Sequence, residues 1–149
     1  ALAGGFEVVL FCDLIVSVET ARFGIPEVKR GLFAAGGGVR LPARIPMAVA
    51  MEMGLTGDPI SADRAKELGL INEVVPAAGL RDAALALAGR VSANGPLAVQ
   101  ATKQLMLDEI GGGNPALLGE LQKVVFSSED AKEGSIAFAQ KRAPEWKGR

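Results

Sequence analysis

Hydrophobic residues dominate the first eighteen positions of the chain, and their arrangement changes within that stretch. Residues 3–12 predict a short, almost fully apolar helix that is entered through Gly4 and Gly5. Residues 14–18, LIVSV, predict a buried strand directly after it. The chain therefore opens with a helix that leads into a core strand.

The next segment predicts a second extended piece that ends at a proline. Residues 21–27 read ARFGIPE, and Pro26 restricts the residue before it to extended geometry, which fixes how Glu27 is presented. Three glycines follow at residues 36–38, ahead of VRLPARIP. Such a loop before a helix can bind an anion on its backbone N–H groups, although a plain turn or a close packing contact is the alternative.

From Pro46 onward the periodicity is mostly helical. PMAVAMEMGL predicts a helix, Ser61 predicts the cap of a short helix that ends at Gly69, and residues 71–76 predict a strand. The spacing of Met47, Met51 and Met53 predicts core packing. Further helices are predicted over residues 80–94, 96–110, from Asn114-Pro115 onward, and from the S-x-x-D run at 127–130 through 140.

The pattern divides the chain into residues 1–75, which are mixed α/β, and residues 76–149, which are nearly all helical. The fold class predicted is α/β followed by a helical region. One later helix carries an apolar stripe that must be covered, either by its own core or by a neighbouring subunit. The stripe consists of Leu117, Leu118, Leu121, Val124 and Val125.

Composition narrows the function classes. The chain has 149 residues, is 49% hydrophobic and 22% charged, and has a formal net charge of −1, which is typical of a globular protein with a core. It lacks a dense Lys/Arg stripe, which argues against nucleic acid as a partner. It also lacks the roughly 18 consecutive apolar residues that a membrane-spanning helix needs. No membrane partner is predicted.

Histidine is absent and Cys12 is the only cysteine. This composition excludes Ser-His-Asp and Cys-His nucleophile pairs, imidazole bases and a structural zinc site within the chain. No metal is predicted. Carboxylates or lysines are therefore the candidates for acid/base chemistry. A single cysteine fits a cytoplasmic protein, and the cytoplasm is the default location.

Glu7 and Glu27 are the candidate acid/base pair. Glu7 lies within FEVVLFC, where a carboxylate has apolar neighbours and is costly to bury unless it is neutralised, paired or used. Gly4 and Gly5 precede it, and a turn of small residues before a helix leaves N–H groups available to an anion or a carbonyl oxygen. Two carboxylates in separate salt bridges are the alternative interpretation.

These motifs resemble the crotonase superfamily, the enoyl-CoA hydratase/isomerase family. The resemblance begins at ALAGGFEVVLFCDLIVSVETARFGIPE, continues through LTGDPISADRAKELGLINEVVP and ends at SEDAKEGSIAFAQKRAPEWKGR. It implies a core spiral of ββα units, of which residues 1–75 are the end, and a helical region at 76–149 that mediates trimer formation and covers the active site. Homotrimers, or hexamers made of two trimers, are the assemblies it implies.

The resemblance also implies an activity, the reversible addition of water across the 2,3 double bond of an enoyl-CoA thioester. By motif match, the Gly4 N–H is one of two donors to the thioester oxygen, Glu7 is the base for water, and Glu27 is the acid that protonates C2. Coenzyme A enters with the substrate, so no separate cofactor is expected. Retention of both glutamates favours hydration over isomerisation, which typically uses one acidic residue in this family.

The resemblance assigns substrate contacts more broadly. Gly5, Ile25, Gly36 and Gly37 match positions around the acyl group, in a loop where Ala34 and Ala35 replace a common Pro-Gly and one residue is missing. Two further matched positions, Phe138 and Lys141, can meet the nucleotide end of CoA, sometimes from an adjacent subunit, although an exposed lysine and a packed phenylalanine are an equal alternative.

Three alternatives to a hydratase remain open. The GGFE opening and FAQKRAPEWKGR end also resemble carnitinyl-CoA dehydratases, an isomerase is possible within the same family, and a catalytically silent acyl-CoA-binding member is the third. Because the family has a further segment before the position of Ala1, the sequence leads us to expect a missing N-terminal portion that carries the second oxyanion donor.

Overall fold

The computed structural model describes residues 1–149, which fold as two compact units, Ala1–Ala86 and Leu87–Arg149. All four strands lie in the first unit, and the last of them ends at Val75. The α/β class with a helical second half is therefore confirmed. The helices are α1 (Gly4–Leu10), α2 (Met47–Thr56), α3 (Ala62–Glu67), α4 (Leu80–Ser92), α5 (Pro96–Ile110), α6 (Pro115–Ser127) and α7 (Glu129–Gln140).

The strands form two short pairs. Strand β1 (Val16–Val18) pairs in parallel with β4 (Glu73–Val75), and β2 (Arg22–Phe23) pairs antiparallel with β3 (Ile60–Ser61). The intervening loops contain 3₁₀ helices, two of which border the candidate site. They span Pro26–Arg30 and Gly38–Ala43.

The core of the first unit lies between α1, α2, α3 and the strand pairs. Phe6 and Phe23 pack with their ring centroids 5.6 Å apart, an arrangement that favours aromatic pairs. The largest fully buried side chains are Phe6, Leu10, Leu41, Met53 and Leu70. This core includes residues of α1, α2 and α3 together with residues of the strands and loops between them.

The methionine prediction is confirmed only for Met53. Met47 and Met51 are 60% and 49% exposed, because α2 turns that face away from the core of this unit. The predicted start of the last helix is also one residue early. Ser128, not Ser127, accepts the N–H of Ala131 and caps α7, while the Ser127 hydroxyl donates to the Lys123 carbonyl.

The second unit is built from helices whose apolar faces are largely open. Helix α6 buries none of its residues, and its predicted stripe remains exposed at Leu118 and Val124. No helix in the chain is long and apolar enough to cross a bilayer.

The chain end returns onto α7. The side chain of Asp130 accepts the N–H groups of Lys147 and Gly148, at 2.7 and 2.9 Å. The main-chain oxygen of Arg149 accepts the N–H groups of Glu129 and Asp130. The first turn of α7 is therefore capped by residues about twenty positions later in the chain.

Candidate active site

Two extended segments bring the candidate residues to one edge of the first unit. Residues 1–3 run parallel to residues 22–24, with a bridge between Leu2 and Gly24. The Ala3 N–H donates to the Gly24 carbonyl at 3.0 Å. Because parallel segments end at the same edge, the start of α1 and the Pro26–Arg30 helix both leave from that edge.

Gly4 begins α1 with an unused backbone donor. The residue before it, Ala3, has φ 51° and ψ −133°, a conformation that alanine rarely adopts and that is held here by the pairing with Gly24. No hydrogen bond within the protein uses the Gly4 N–H, whereas the Gly5 N–H donates to Leu2. A Cβ atom at Gly4 or Gly5 would have no neighbour within 4 Å, so both border open space.

Glu7 lies one turn further along α1 and is held by the glycine loop. Its Oε1 atom accepts the N–H groups of Gly37 and Gly38, at 2.7 and 3.0 Å. The anion bound by the glycine triplet is thus a side chain of the same protein. Hydrogen bonds from Gly37, Gly38 and Gly36 lower the pKa of Glu7 below its usual 4.5, against a smaller opposing effect of burial.

The three glycines fit closely around Glu7. A Cβ at Gly36 would lie 2.6 Å from Oε2 of Glu7, and one at Gly37 would lie 2.8 Å from the ring of Phe11. A Cβ at Gly38 would lie 2.3 Å from the Cβ of Ala34. A Cβ at any of the three positions would therefore require the loop or one of these neighbouring side chains to shift.

Glu27 lies in the first turn of the Pro26–Arg30 helix, with one oxygen unsatisfied. Its Oε2 atom is buried and has no hydrogen-bond partner. A buried polar atom without a partner is costly, and such atoms in native proteins are associated with functional sites. Glu27 is thus available to a bound molecule.

A cavity of about 280 Å³ adjoins Glu27. Gly38 belongs to its wall and also donates to Glu7, so the two glutamates border a common region around this glycine. The lining residues are Ile25, Glu27, Val28, Phe33, Ala34, Gly38, Val39, Leu41, Pro42, Ala50, Met51, Gly54 and Leu55.

The four residues predicted from sequence to surround the acyl group do not all lie at one cavity in the structure. Ile25 lines the cavity, whereas Gly36 and Gly37 lie against Glu7, and Gly5 lies beside the unused donor. The residues of α2 that line the cavity were not identified from sequence. A glycine inside the helical pattern PMAVAMEMGL, Gly54, was the available signal.

Phe138 and Lys141 lie in the second unit. Phe138 is 87% exposed, so the packed alternative for it does not hold within this chain, and it borders a cavity of about 400 Å³ beside Trp146. Lys141 ends α7 with φ 54° and an exposed side chain. Both side chains are accessible to a ligand or to another subunit.

Comparison with known proteins gives the family. The family model described as enoyl-CoA hydratase/isomerase matches residues 1–149. Carnitinyl-CoA dehydratase of Proteus mirabilis is 42% identical over 100% of the chain and 60% of its own length. Enoyl-CoA hydratase EchA19 of Mycobacterium tuberculosis is 46% identical over 100% of the chain and 58% of its length.

A solved structure agrees with these relatives. The crystal structure of an enoyl-CoA hydratase from Mycobacterium tuberculosis H37Rv superposes with a TM-score of 0.93 at 54% identity, covering 100% of this chain and 61% of that one. The chain therefore spans about 60% of the length of the curated relatives it matches.

Proposed function

The chain belongs to the enoyl-CoA hydratase/isomerase family, and from this premise we propose that the full-length polypeptide is a hydro-lyase that adds water to 2,3-enoyl-CoA thioesters. The observation that carries the proposal is the different environment of the two glutamates. Glu7 is hydrogen-bonded in a way that favours its ionised form, while Glu27 keeps a buried oxygen without a partner beside the same glycine.

The thioester oxygen is assigned to the Gly4 N–H. Negative charge develops on this oxygen as water adds to C3, and a fixed backbone donor stabilises that charge without reorganisation. The unused donor and the open space at Gly4 support this role. We propose that the second donor of the oxyanion hole comes from a segment of the full-length polypeptide that corresponds to the part of the relatives not matched by this chain.

Glu7 acts as the base in this mechanism. A general base must be ionised before it accepts a proton, and the lowered pKa of Glu7 keeps it ionised at neutral pH. Glu7 takes one proton from water as the water oxygen bonds to C3.

Glu27 acts as the acid. Its protonated carboxyl group gives a proton to C2, so that the elements of one water molecule are added across the double bond. In dehydration the roles are exchanged. Proton exchange between the two carboxyl groups and solvent restores the starting state.

Two substitutions test the proposal in the full-length polypeptide. We expect Glu7→Gln and Glu27→Gln each to lower kcat for crotonyl-CoA hydration by about 10²- to 10⁴-fold, the usual contribution of one acid or base. Glu52→Gln, an exposed acid on α2, is the matched control and should retain full activity. Wild-type rates in both glutamate variants would exclude the mechanism.

Carnitinyl-CoA dehydration is the second candidate, because several relatives at 42% identity are carnitinyl-CoA dehydratases. Product analysis with crotonyl-CoA, 3-enoyl-CoA and crotonobetainyl-CoA separates hydratase, isomerase and carnitinyl-CoA activities. Turnover of none of the three, with acyl-CoA binding retained, would favour a silent member of the family.

A further inference from the structure

The cavity beside Glu27 is apolar apart from that one carboxyl group. Its most buried side chains are Ile25, Leu41 and Ala50, which are 7%, 1% and 5% exposed. No other titratable side chain lines it. Since burying an unpaired charge is costly, these walls favour an uncharged hydrocarbon group.

The surroundings of the cavity disfavour a cationic group in particular. Quaternary ammonium groups are bound by several aromatic rings or by carboxylates, and the wall offers one ring, Phe33, and one carboxyl group, Glu27, which the proposed mechanism uses as the acid.

The backbone conformation of α2 does not require glycine at position 54. It lies inside the helix, where glycine is less stable than alanine, and its φ is not in the left-handed region. A Cβ at this position would lie 3.7 Å from Cδ1 of Ile25, which is an ordinary contact. Alanine would therefore fit, and glycine instead leaves the space to the cavity.

We infer that Gly54 is a specificity-determining residue that deepens the cavity for uncharged, apolar acyl chains longer than four carbons, and that the cavity rejects quaternary-ammonium acyl groups. The inference rests on the proposed function, of which it specifies the substrate class. The volume of about 280 Å³ supports it, since a cavity of about 10 to 15 Å³ already holds one water molecule.

The test uses the full-length polypeptide with 2-enoyl-CoA thioesters of four and eight carbons and with crotonobetainyl-CoA. Gly54→Ala is expected to lower the ratio of kcat/KM for eight carbons to that for four carbons by at least about tenfold, because one methyl group in an apolar pocket has effects of this size. Gly54→Leu should lower it further. Wild type should use crotonobetainyl-CoA at least about 100-fold less efficiently than crotonyl-CoA.

Gly89→Ala is the matched control. Gly89 also lies inside a helix, α4, but it is exposed and a Cβ there would meet nothing within 4 Å. This variant should gain the same helix stability and leave the chain-length ratio unchanged. Thermal denaturation of both alanine variants shows whether a change in the chain-length ratio comes from unfolding or from the reduced volume of the cavity.

The outcomes distinguish the inference from the proposed function. An unchanged chain-length ratio in folded Gly54→Ala and Gly54→Leu, with wild-type crotonyl-CoA hydration intact, overturns the inference alone. Efficient use of crotonobetainyl-CoA by the wild type also overturns it. Absence of hydration of every thioester by the wild type instead refutes the proposed function.

Discussion

At the scale of single residues, the site depends on how one carboxylate is held. Glu7 is fixed by two backbone donors that lie thirty and thirty-one positions further along the chain. The sequence predicts both a functional Glu7 and an anion-binding glycine loop. It does not predict that the Glu7 carboxylate is the anion that the glycine loop binds. Local periodicity does not encode a contact between residues that are thirty positions apart.

Gly37→Ala tests the effect of these donors on Glu7. A Cβ at Gly37 would lie 2.8 Å from the Phe11 ring and 3.2 Å from both the Cβ and the main-chain oxygen of Glu7, so we expect the loop to move away from Glu7 and its hydrogen bonds to the carboxylate to weaken. Those bonds favour the ionised form, so their loss raises the pKa of Glu7 towards 4.5. We expect the acidic limb of the kcat/KM profile to move to higher pH.

Gly79→Ala provides the control for this profile. A Cβ at Gly79 meets no atom within 4 Å, so its acidic limb should coincide with that of the wild type. If the limb of Gly37→Ala also stays in place while activity is retained, the glycine loop does not set the ionisation of Glu7.

At the scale of elements, helix α7 shows which features of a helix are local and which are not. Its N-terminal serine and acidic first turn are readable from sequence, although two adjacent serines leave the cap ambiguous by one residue. The pairing of Glu133 with Arg142 and with the Glu145 N–H depends on the direction in which the chain leaves the helix. That direction is set by tertiary packing, which helical periodicity does not specify.

Glu133→Gln tests this element through pH. The Arg142 guanidinium and the Glu145 N–H lower the pKa of Glu133 from 4.5 to about 2. A carboxyl group with a lowered pKa stabilises the fold fully above its ordinary pKa, and the stabilisation disappears as the pH falls towards 2. The variant should therefore melt at a lower temperature than wild type at pH 7.

The difference in Tm should narrow between about pH 4.5 and pH 2. Glu120→Gln, at an exposed position on α6, is the control and should follow the wild-type curve at every pH. A Tm difference for Glu133→Gln that does not depend on pH over this range would mean that the ion pair between Glu133 and Arg142 does not contribute to the stability of the fold.

At the scale of the whole molecule, the apolar surface of the helical unit is the main feature. Large apolar side chains are exposed on three successive helices, and contiguous exposed apolar surface marks interaction sites. They include Met106, Leu107, Ile110, Leu118, Val124, Phe126, Ile136 and Phe138. The sequence predicts the stripe on α6 and leaves open what covers it, because periodicity defines a face without identifying its partner.

We propose that this surface forms the contacts of a homotrimer or a dimer of trimers, and Phe126→Asp tests the assembly. A charge at a buried contact is costly, so the variant of the full-length polypeptide should dissociate to smaller species in sedimentation velocity experiments. Lys123→Asp, on the same helix, should retain the wild-type mass. A wild-type protein that sediments as a monomer would contradict the proposed assembly.

The contacts between residues 147–149 and α7 make a local helix end depend on a distant stretch of sequence. Residues 147–149 supply partners of the first turn of α7, in addition to its own Ser128 cap. Without these three residues, the carboxylate of Asp130 loses both of its N–H donors and Ser128 alone caps the helix. Trimming a few residues after Trp146 would therefore loosen a helix that begins about twenty positions earlier.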